Sequence, residues 1–370
     1  MLVQNLELRG FRNLADGELG LDPSLTVLHG PNGAGKTNCL EALYFGLTGR
    51  SCRTRTEREL IRFGEPLARA EVELDDAGER RVFLAAVERG EGRRHLLDGA
   101  AAGPAAAAKR PAIALFMPDR LALVKGAPAA RRAHLDRLIP ALWPARAELR
   151  ARFGRALAQR NALVARIRAG ATTAAALDAW DHEVATQGHA LIAARREAIE
   201  SLAEPFRDAA ASLGLPGEAV LEYRPRSEAA DAEALAAELR ERRNADLDRG
   251  YTTHGPQYDE IHIGVGGRAV RRYGSQGQQR VALLALLFAE RRLLLETRGT
   301  APLLLLDDVM SELDPERREL LTETVLAAGQ ALITATDPAQ LPAGPRRELR
   351  VRAGRVTVVE QGSDPERAAA

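Results

Sequence analysis

Residues 30–37 read Gly-Pro-Asn-Gly-Ala-Gly-Lys-Thr and limit the possible folds of this chain more than any other segment. They fit the P-loop pattern G-x-x-x-x-G-K-[ST], in which glycines let backbone N–H groups close around a phosphate. The apolar run at residues 25–28 predicts a buried strand before it, and apolar residues recur at helical spacing after it. A phosphate bound there would meet the positive end of a helix dipole. The motif and its context therefore predict a nucleotide site.

Each residue of the P-loop has a part in this prediction. Backbone N–H groups and the Lys36 ammonium would hold the phosphates, and the Thr37 hydroxyl would bind Mg2+. The expected nucleotide-binding residues of the loop are Asn32, Gly33, Ala34, Gly35, Lys36 and Thr37. The alternative is a glycine turn that contains a lysine by chance, but lysine is rare in this chain.

Length and composition limit the class to which this protein can belong. A chain of 370 residues with 45% hydrophobic residues has room for two or three domains and a sizeable core. No apolar run approaches a bilayer span, and no charged segment followed by an apolar one opens the chain, so we expect a cytoplasmic protein without membrane contact. Cys39 and Cys52 are the only cysteines, which predicts neither a disulfide framework nor a zinc site.

The net charge of +1 means that any contact with nucleic acid must be local. The densest basic stretch beside the nucleotide site contains Arg50, Arg53 and Arg55, which are candidate ligands for DNA phosphates. Arg12 could reach a nucleotide phosphate, although a solvated loop arginine explains this residue nearly as well. The excess of arginine over lysine also fits a compositional bias of the source genome.

The middle of the chain changes from strands to helices. Residues 68–98 alternate apolar and polar positions and predict antiparallel strands. Residues 144–167 and 180–202 predict two amphipathic helices of about 35 to 40 Å, paired as a hairpin around Gly170. Pro205 is expected to break the chain after the second helix. We therefore predict a head formed by residues 1–110 and 250–370, with a helical arm inserted at residues 111–249.

Two segments near the C-terminus complete the pattern. A Ser-x-Gly turn at residues 274–277 precedes a strongly apolar helix. The four leucines at residues 303–306 predict a buried parallel strand that ends in Asp307-Asp308. Paired carboxylates at that end of a strand are typical of metal ligands and bases, although a capped strand end explains an isolated pair as well.

The order of P-loop, Gly-Ser-Gln-Gly turn, acidic strand and Ser-Glu-Leu-Asp at residues 311–314 resembles that of ABC-type ATPase heads. This implies an α/β fold with a mixed sheet, plus the inserted helical hairpin arm. Within that class the chain resembles the RecF family of bacterial recombination and repair proteins over essentially its full length. The matching segments are residues 9–13, 30–37 with 41–44, 49–51 with Arg53, 123–128 with 131–132 and 135–136, 159–163, 274–278, and 305–314.

The resemblance implies a function. Members of this kind are ATP-dependent DNA-binding proteins of recombinational repair, replication restart and the SOS response. The resemblance implies an ATP-dependent homodimer that binds single-stranded and double-stranded DNA at gaps or junctions. It implies action with RecR and RecO to help RecA replace single-strand-binding protein, and a weak, Mg2+-dependent, DNA-stimulated ATPase whose hydrolysis drives release.

The resemblance also implies site roles. Thr37 and Asp307 would hold Mg2+, and Asp308 would orient or deprotonate the attacking water. Ser275 and Gly277 would contact the γ-phosphate held by the P-loop of a second protomer. The implied catalytic residues are Lys36, Asp308 and Ser275.

The chain departs from the family pattern in two places. Residues 255–260 read Gly-Pro-Gln-Tyr-Asp-Glu where the family commonly has Gly-Pro-His-Arg-Asp-Asp, so any role of that histidine and arginine does not carry over. Thr336 stands where many transport ABC heads carry a histidine, and we expect slow hydrolysis suited to a switch. No Q-loop glutamine is assigned.

Three other classes share some of these motifs. A long-armed SMC-type ATPase needs coiled coils of hundreds of residues, which this length excludes. A transporter subunit normally carries Leu-Ser-Gly-Gly-Gln rather than the turn at residues 273–278. A non-catalytic scaffold that binds ATP without hydrolysing it remains open, although Asp308 argues against it.

Overall fold

The structure, a computed structural model, describes residues 1–54, 56–103, 106, 109–117, 121–313, 315–326, 329–337 and 346–359, apart from the side chains of Glu312 and Thr324. The chain forms two compact units. The first unit comprises residues 1–119 and 294–370, and the second unit comprises residues 120–293.

Strands and helices occur in consecutive runs along much of the described chain. The strands are β1 (Leu2–Arg9), β2 (Gly17–Gly20), β3 (Leu25–His29), β4 (Leu67–Asp76), β5 (Glu79–Glu88), β6 (Gly92–Leu97), β7 (Ala100–Ala101), β8 (Ile113–Phe116), β9 (Ala219–Arg224), β10 (Glu260–Val265), β11 (Arg268–Ala269), β12 (Leu303–Leu306), β13 (Ala331–Ala335), β14 (Arg347–Arg352) and β15 (Arg355–Val358). The α-helices are α1 (Lys36–Thr48), α2 (Ala122–Lys125), α3 (Pro128–Leu142), α4 (Leu149–Arg168), α5 (Leu177–Ser212), α6 (Ala232–Glu241), α7 (Arg243–Arg249), α8 (Val270–Tyr273), α9 (Gln276–Arg298) and α10 (Pro315–Leu326).

An antiparallel sheet of the first unit has the strand order β2-β1-β4-β5-β6-β7. Alternate residues of β4, from Ala68 to Leu74, are fully buried, while the residues between them are partly exposed. Ala77 and Gly78 connect β4 to β5 with positive φ angles of 54° and 90°, as a two-residue type I′ hairpin turn requires. The predicted period-two strands between residues 68 and 98 are present.

A mixed sheet of the same unit has the order β15-β14-β3-β13-β12-β8. Neighbouring strands from β14 to β8 are parallel, and β15 is antiparallel. In the register of this sheet Leu306 of β12 lies opposite Ile333 of β13, and Thr334 lies opposite Leu28 of β3. The carboxyl ends of β3, β13 and β12 therefore meet at one edge of the sheet.

Helix α1 packs against both sheets of the first unit. It contacts β4 and β5 of the antiparallel sheet and β13 of the mixed sheet. Cys39, Leu40, Leu43 and Phe45 of this helix are fully buried in a core that both sheets share. This double contact fixes the start of α1, and with it the P-loop.

In the second unit α4 and α5 pack together, with Gly170 in the connection at a φ of 72°. The predicted hairpin is therefore present, but its second helix runs for 36 residues and passes through Pro205. The prediction that Pro205 breaks the helix is wrong. Its ring is buried next to Phe206, which is fully buried, so tertiary packing outweighs the missing backbone hydrogen bond.

The compact units divide the chain at positions other than the predicted boundaries at residues 110 and 250. Leu286 and Glu290 of α9 line a cavity together with residues of α3 and α5, so the helix after the Ser-x-Gly turn lies mostly in the second unit. Across the described residues, no helix combines the length and apolar character needed to span a bilayer.

A buried ion cluster ties three helices of the second unit together. Arg160 of α4 donates to Asp181 of α5 and to Asp246 of α7, each at 2.7 Å, and all three side chains are fully buried. It also donates to the Thr252 hydroxyl at 2.7 Å. Removing one member of such a cluster leaves an uncompensated buried charge, which costs more than the loss of an exposed pair.

We expect Arg160→Met to lower the free energy of unfolding of the second unit by about 3 to 5 kcal/mol, because the buried Asp246 loses its arginine partner, while Asp181 keeps its bond to Arg243. The control is Arg152→Met on the same helix, whose pair with Glu148 is exposed and whose loss should cost about 0.5 kcal/mol. Urea unfolding of the full chain, followed by tryptophan fluorescence, measures both. Equal stability of the two variants would contradict a stabilising role for the cluster.

Candidate functional site

The P-loop connects β3 to α1, and Asp307-Asp308 comes directly after β12 at the same edge of the mixed sheet. The two segments face one pocket, open to solvent, with an empty volume of about 740 Å3. Its lining residues are Asn32, Gly33, Gly35, Lys36, Thr37, Asn38, Arg53, Asp307 and Asp308. The structure thus brings together most of the predicted phosphate and metal ligands, while the side chain of Ala34 is buried.

Two glycines of the loop are required by its backbone. Gly33 has a φ of 77°, and a Cβ there would meet no protein atom within 4 Å, so it would project into open space at the pocket lining. Gly35 has a φ of 117°, and a Cβ there would come within 2.7 Å of a Leu14 methyl group. Both φ values favour glycine. The loop can therefore present its N–H groups without side chains in the way.

Lys36 lies at the start of α1 with only 6% of its surface exposed. Its ammonium donates to the carbonyl oxygens of Gly30 at 2.7 Å and Pro31 at 3.0 Å. Burial lowers the pKa of Lys36, and the carboxylates of Asp308 and Asp307 partly offset that effect. The lysine is thus held beneath the loop as a cation within reach of both acidic residues.

Asp307 is held by two threonines from different elements. The Thr37 hydroxyl of α1 lies 2.9 Å from both of its carboxylate oxygens, and the Thr334 hydroxyl of β13 donates to Oδ1 at 2.8 Å. Burial raises the pKa of Asp307, and the two hydroxyls act against this rise. A carboxylate beside a P-loop hydroxyl supplies the hard oxygen ligands that Mg2+ prefers.

Asp308 has an unusual backbone conformation. Its φ of 49° lies in the left-handed region, and its N–H donates to the Thr334 hydroxyl at 2.8 Å. Its Oδ1 atom is buried and accepts no hydrogen bond from the described residues. Strained residues with unsatisfied polar atoms are concentrated at functional sites. Asp308 lines the pocket, where a water molecule or a ligand could supply the missing donor.

Arg12 does not line the pocket. Its guanidinium makes two hydrogen bonds to the fully buried carboxylate of Glu41, at 2.9 and 3.1 Å. The same carboxylate accepts from the Ser51 hydroxyl at 2.5 Å and from Arg53 at 3.4 Å. Arg12 would have to leave this pair to reach a phosphate, so its predicted contact with nucleotide stays a prediction.

The three candidate DNA ligands do not share one environment. Arg50 is exposed. Arg53 lines the nucleotide pocket, donates to Asn38 at 2.9 Å and is 36% exposed. Arg55 lies outside the described residues, as does Asp314 of the Ser-Glu-Leu-Asp segment. The roles predicted for these residues remain predictions.

Ser275 lies in the second unit at the start of α9. Its Oγ accepts from the backbone N–H of Gln278 at 3.2 Å, and the Gln278 side chain accepts from the Ser275 N–H at 2.8 Å. This is a capping box, Ser-x-x-Gln, which the sequence contains but which was not predicted. Ser275 is exposed, and a Cβ at Gly277 would meet only the Ser275 hydroxyl, at 3.9 Å. The turn therefore presents an open surface.

Three polar residues at or behind the pocket were not predicted as parts of the site. Asn38 lines the pocket, and Glu41 is fully buried one turn further along α1. Thr334 is fully buried on β13. Asn38 and Glu41 lie close to the P-loop in sequence, but no sequence signal links Thr334 to Asp307, since their contact depends on the strand order.

We expect Thr334→Val to raise the Mg2+ concentration needed for nucleotide binding by about 10- to 100-fold, as the removal of an outer-shell partner typically does. Thr334→Ser keeps the hydroxyl and should resemble the wild type. Titration of Mg2+ into the protein with a fluorescent ATP analogue measures the shift.

The control is Thr26→Val, a fully buried threonine of β3 whose hydroxyl instead accepts from the Asp22 N–H. A Thr334→Val protein with a wild-type Mg2+ dependence, or a Thr26→Val protein with the same defect, would contradict a specific role for Thr334.

Comparisons with known proteins identify relatives along the whole chain. The family model RecF/RecN/SMC N terminal domain matches residues 2–353. The DNA replication and repair protein RecF of Deinococcus radiodurans is 38% identical over 355 residues, which cover 96% of this chain and 95% of the relative. The protein of the same name from Anaeromyxobacter sp. strain Fw109-5 is 40% identical, with 91% and 93% covered.

Solved structures agree with the predicted fold class. A structure of the recombination mediator protein RecF with ATP, in the RecFOR pathway, superimposes with a TM-score of 0.85 at 25% identity and covers 97% of each chain. An Smc head shares the fold at a TM-score of 0.58 and 16% identity. The ABC-type head with its helical hairpin is therefore confirmed, and the chain belongs to the RecF family.

Proposed function

We propose that this chain is an ATP-dependent DNA-binding protein of recombinational repair and replication restart, active in the cytoplasm. The observation that carries the proposal is the pocket in which Lys36, Thr37, Asp307 and Asp308 converge. Family membership supports the same function, because the relatives are described as DNA replication and repair proteins and one solved relative as an ATP-bound recombination mediator.

The proposed chemistry is slow ATP hydrolysis. The P-loop N–H groups and Lys36 bind the β- and γ-phosphates, and Thr37 and Asp307 hold Mg2+, which would neutralise charge on the phosphates. Asp308 orients or accepts a proton from the water that attacks the γ-phosphorus, and the products are ADP and phosphate. Its unsatisfied Oδ1 is available for that water.

The site is proposed to be completed by a second copy of the chain. Ser275 is exposed and Gly277 is partly exposed in a turn at a helix N-terminus, which favours an anionic ligand. We propose that this turn contacts the γ-phosphate bound by the partner, so that ATP holds the homodimer together and hydrolysis releases it. Within its own protomer, the Ser275 hydroxyl positions the turn through the capping box.

The proposed DNA substrate includes single-stranded and double-stranded segments at gaps or junctions. The proposed partners are RecR and RecO, since one solved relative is described as part of the RecFOR pathway. In that setting the protein would help load RecA onto DNA covered by single-strand-binding protein. Weak stimulation of hydrolysis by DNA is part of the same proposal.

Two variants are expected to behave oppositely. Asp308→Asn keeps Asp307 for the metal but lacks the base, so it should accumulate as a dimer with ATP and Mg2+. Ser275→Arg places a bulky cation on the exposed turn, so it should bind ATP and stay monomeric. Multi-angle light scattering with a nucleotide-binding assay measures both states.

The control for Ser275→Arg is Ser212→Arg, the same change at an exposed serine at the end of α5. Normal ATP-dependent dimerisation of the Ser275→Arg protein would refute the composite site. A dimerisation defect in the Ser212→Arg protein would show that the added arginine disturbs the chain nonspecifically.

We expect the triple variant Arg50→Ala/Arg53→Ala/Arg55→Ala to flatten the salt dependence of DNA binding, by about 0.7 to 0.9 in slope for each phosphate contact removed. Fluorescence anisotropy with labelled duplex and single-stranded DNA over a salt series measures the slope. Because Arg53 lines the nucleotide pocket, the ATP affinity of the same variant must be measured beside it.

A matched control removes three exposed arginines on or next to the antiparallel sheet, Arg80, Arg89 and Arg94, with the same change in net charge. If the two triple variants flatten the slope equally, the effect is a general one of charge. An unchanged slope in the first variant would mean that its arginines do not bind DNA phosphates.

A further inference from the structure

The segment that departs from the family pattern, residues 255–260, forms part of an exposed aromatic and basic surface in the second unit. Tyr258 of this segment is 43% exposed, and nearby Tyr251 is 47% exposed. The Tyr258 hydroxyl donates to the Thr252 carbonyl at 3.3 Å, which links the segment to the residue just after Tyr251. Neither tyrosine is used by the proposed ATPase mechanism.

The backbone beneath Tyr258 is firmly held. Arg195, which is 2% exposed, donates to the Pro256 carbonyl at 2.7 Å and to the Asp259 carboxylate at 2.9 Å. The Asp259 carboxylate also accepts from the Tyr223 hydroxyl, and the Asp259 carbonyl accepts from Arg132 at 2.7 Å. Pro256 begins the short helical turn Pro256–Tyr258, and Asp259 follows it. Because both residues are held by hydrogen bonds, the Tyr258 ring is presented on a preorganised support.

Arginines lie beside the chain positions next to the two tyrosines. Arg249 and Arg168 are exposed, and the Arg168 guanidinium lies so close to Gly250 that a Cβ there would come within 2.3 Å of it. Arg249 directly precedes Gly250, and Arg132 donates to the carbonyl of Asp259, the residue after Tyr258. Burial raises the pKa of Tyr258, as does Tyr251, while Arg249 and Arg132 lower it. We refer to Tyr251, Tyr258, Arg132, Arg168 and Arg249 as the tyrosine-arginine patch.

The acidic groups near the patch are mostly neutralised. Asp246 also raises the pKa of Tyr258, but it is fully buried and bonded to Arg160. Glu260 pairs with Arg131 at 2.8 Å. Asp248 is exposed and opposes the arginines. The accessible charge of the patch is therefore positive.

We propose that the tyrosine-arginine patch binds single-stranded nucleic acid, with bases stacked on Tyr251 and Tyr258 and phosphates contacted by the arginines. Exposed aromatic rings beside cations are the combination that binds single strands without regard to sequence, because every base has a face that can stack. The patch lies in the second unit, so the proposal rests on the proposed DNA-binding function and extends it beyond Arg50, Arg53 and Arg55.

A protein partner fits the patch less well. Protein interfaces also use tyrosine and arginine, but they combine them with an apolar centre inside a polar rim. Among the described residues of the second unit, the exposed large hydrophobic side chains are the tyrosines Tyr251, Tyr258 and Tyr273. The patch therefore has rings and cations but no exposed large aliphatic side chain at its centre.

The test uses the full chain and a fluorescein-labelled oligothymidylate, with an abasic strand of the same length as a second probe. We expect Tyr251→Ala/Tyr258→Ala to bind oligothymidylate more weakly by about tenfold per tyrosine and to bind the abasic strand as the wild type does. Tyr251→Phe/Tyr258→Phe keeps the rings and should retain affinity. Phe63→Ala is the control, since Phe63 is fully exposed in the first unit and far from the patch in sequence.

Several outcomes would overturn the proposal. One is an unchanged affinity of the alanine variant for oligothymidylate. Another is an equal decrease in affinity for the abasic strand, which would show that base stacking does not contribute. A defect in ATP-dependent self-association with normal oligothymidylate binding would make the patch a protein interface. ATP binding, measured in the same samples, should be unaffected by the substitutions. If the wild-type chain binds DNA without any response to ATP, the proposed function is wrong. The tyrosine variants still test the patch in that case.

Discussion

The contact between Thr37 and Asp307 depends on the strand order of the mixed sheet and on the packing of α1 against both sheets. The two residues are far apart in sequence, and their side chains meet at 2.9 Å because β3, β13 and β12 are parallel neighbours that end at one edge. Helix α1 holds its end of the contact through its packing against both sheets. Thr334, on the strand between them, bonds Asp307 and the backbone of Asp308 with one hydroxyl. A shift of one residue in any of these strands would separate the P-loop from its acidic partners.

Behind the pocket, the buried carboxylate of Glu41 joins three parts of the chain. It bonds Arg12 from the segment before the P-loop, and Ser51 and Arg53 from the segment after α1. Arg53 also lines the pocket, so the nucleotide site and the basic segment share a side chain. A ligand that draws Arg53 or Arg12 toward the pocket must weaken their bonds to Glu41. This network links the pocket directly to Arg53, one of the residues proposed to contact DNA.

Features that arise from local pattern could be predicted from the sequence. The P-loop, the alternating strands around Ala68–Leu74, the leucine strand before Asp307 and the helical hairpin all have strong periodic or motif signals. Features that depend on tertiary packing could not be predicted from the sequence. Pro205 stays inside α5 because its surroundings hold it, and Thr334 reaches Asp307 only through strand order. The bond between Arg12 and Glu41 likewise could not be inferred from a loop arginine and a helix glutamate.

We propose that the pocket at the edge of the mixed sheet binds ATP through Lys36. Isothermal titration of the wild-type and Lys36→Ala proteins with a slowly hydrolysed ATP analogue and Mg2+ measures this binding. We expect saturable binding to the wild type and no measurable binding to the variant, whose unfolding transition should remain cooperative. Equal affinities in the two folded proteins would contradict the assignment of the pocket.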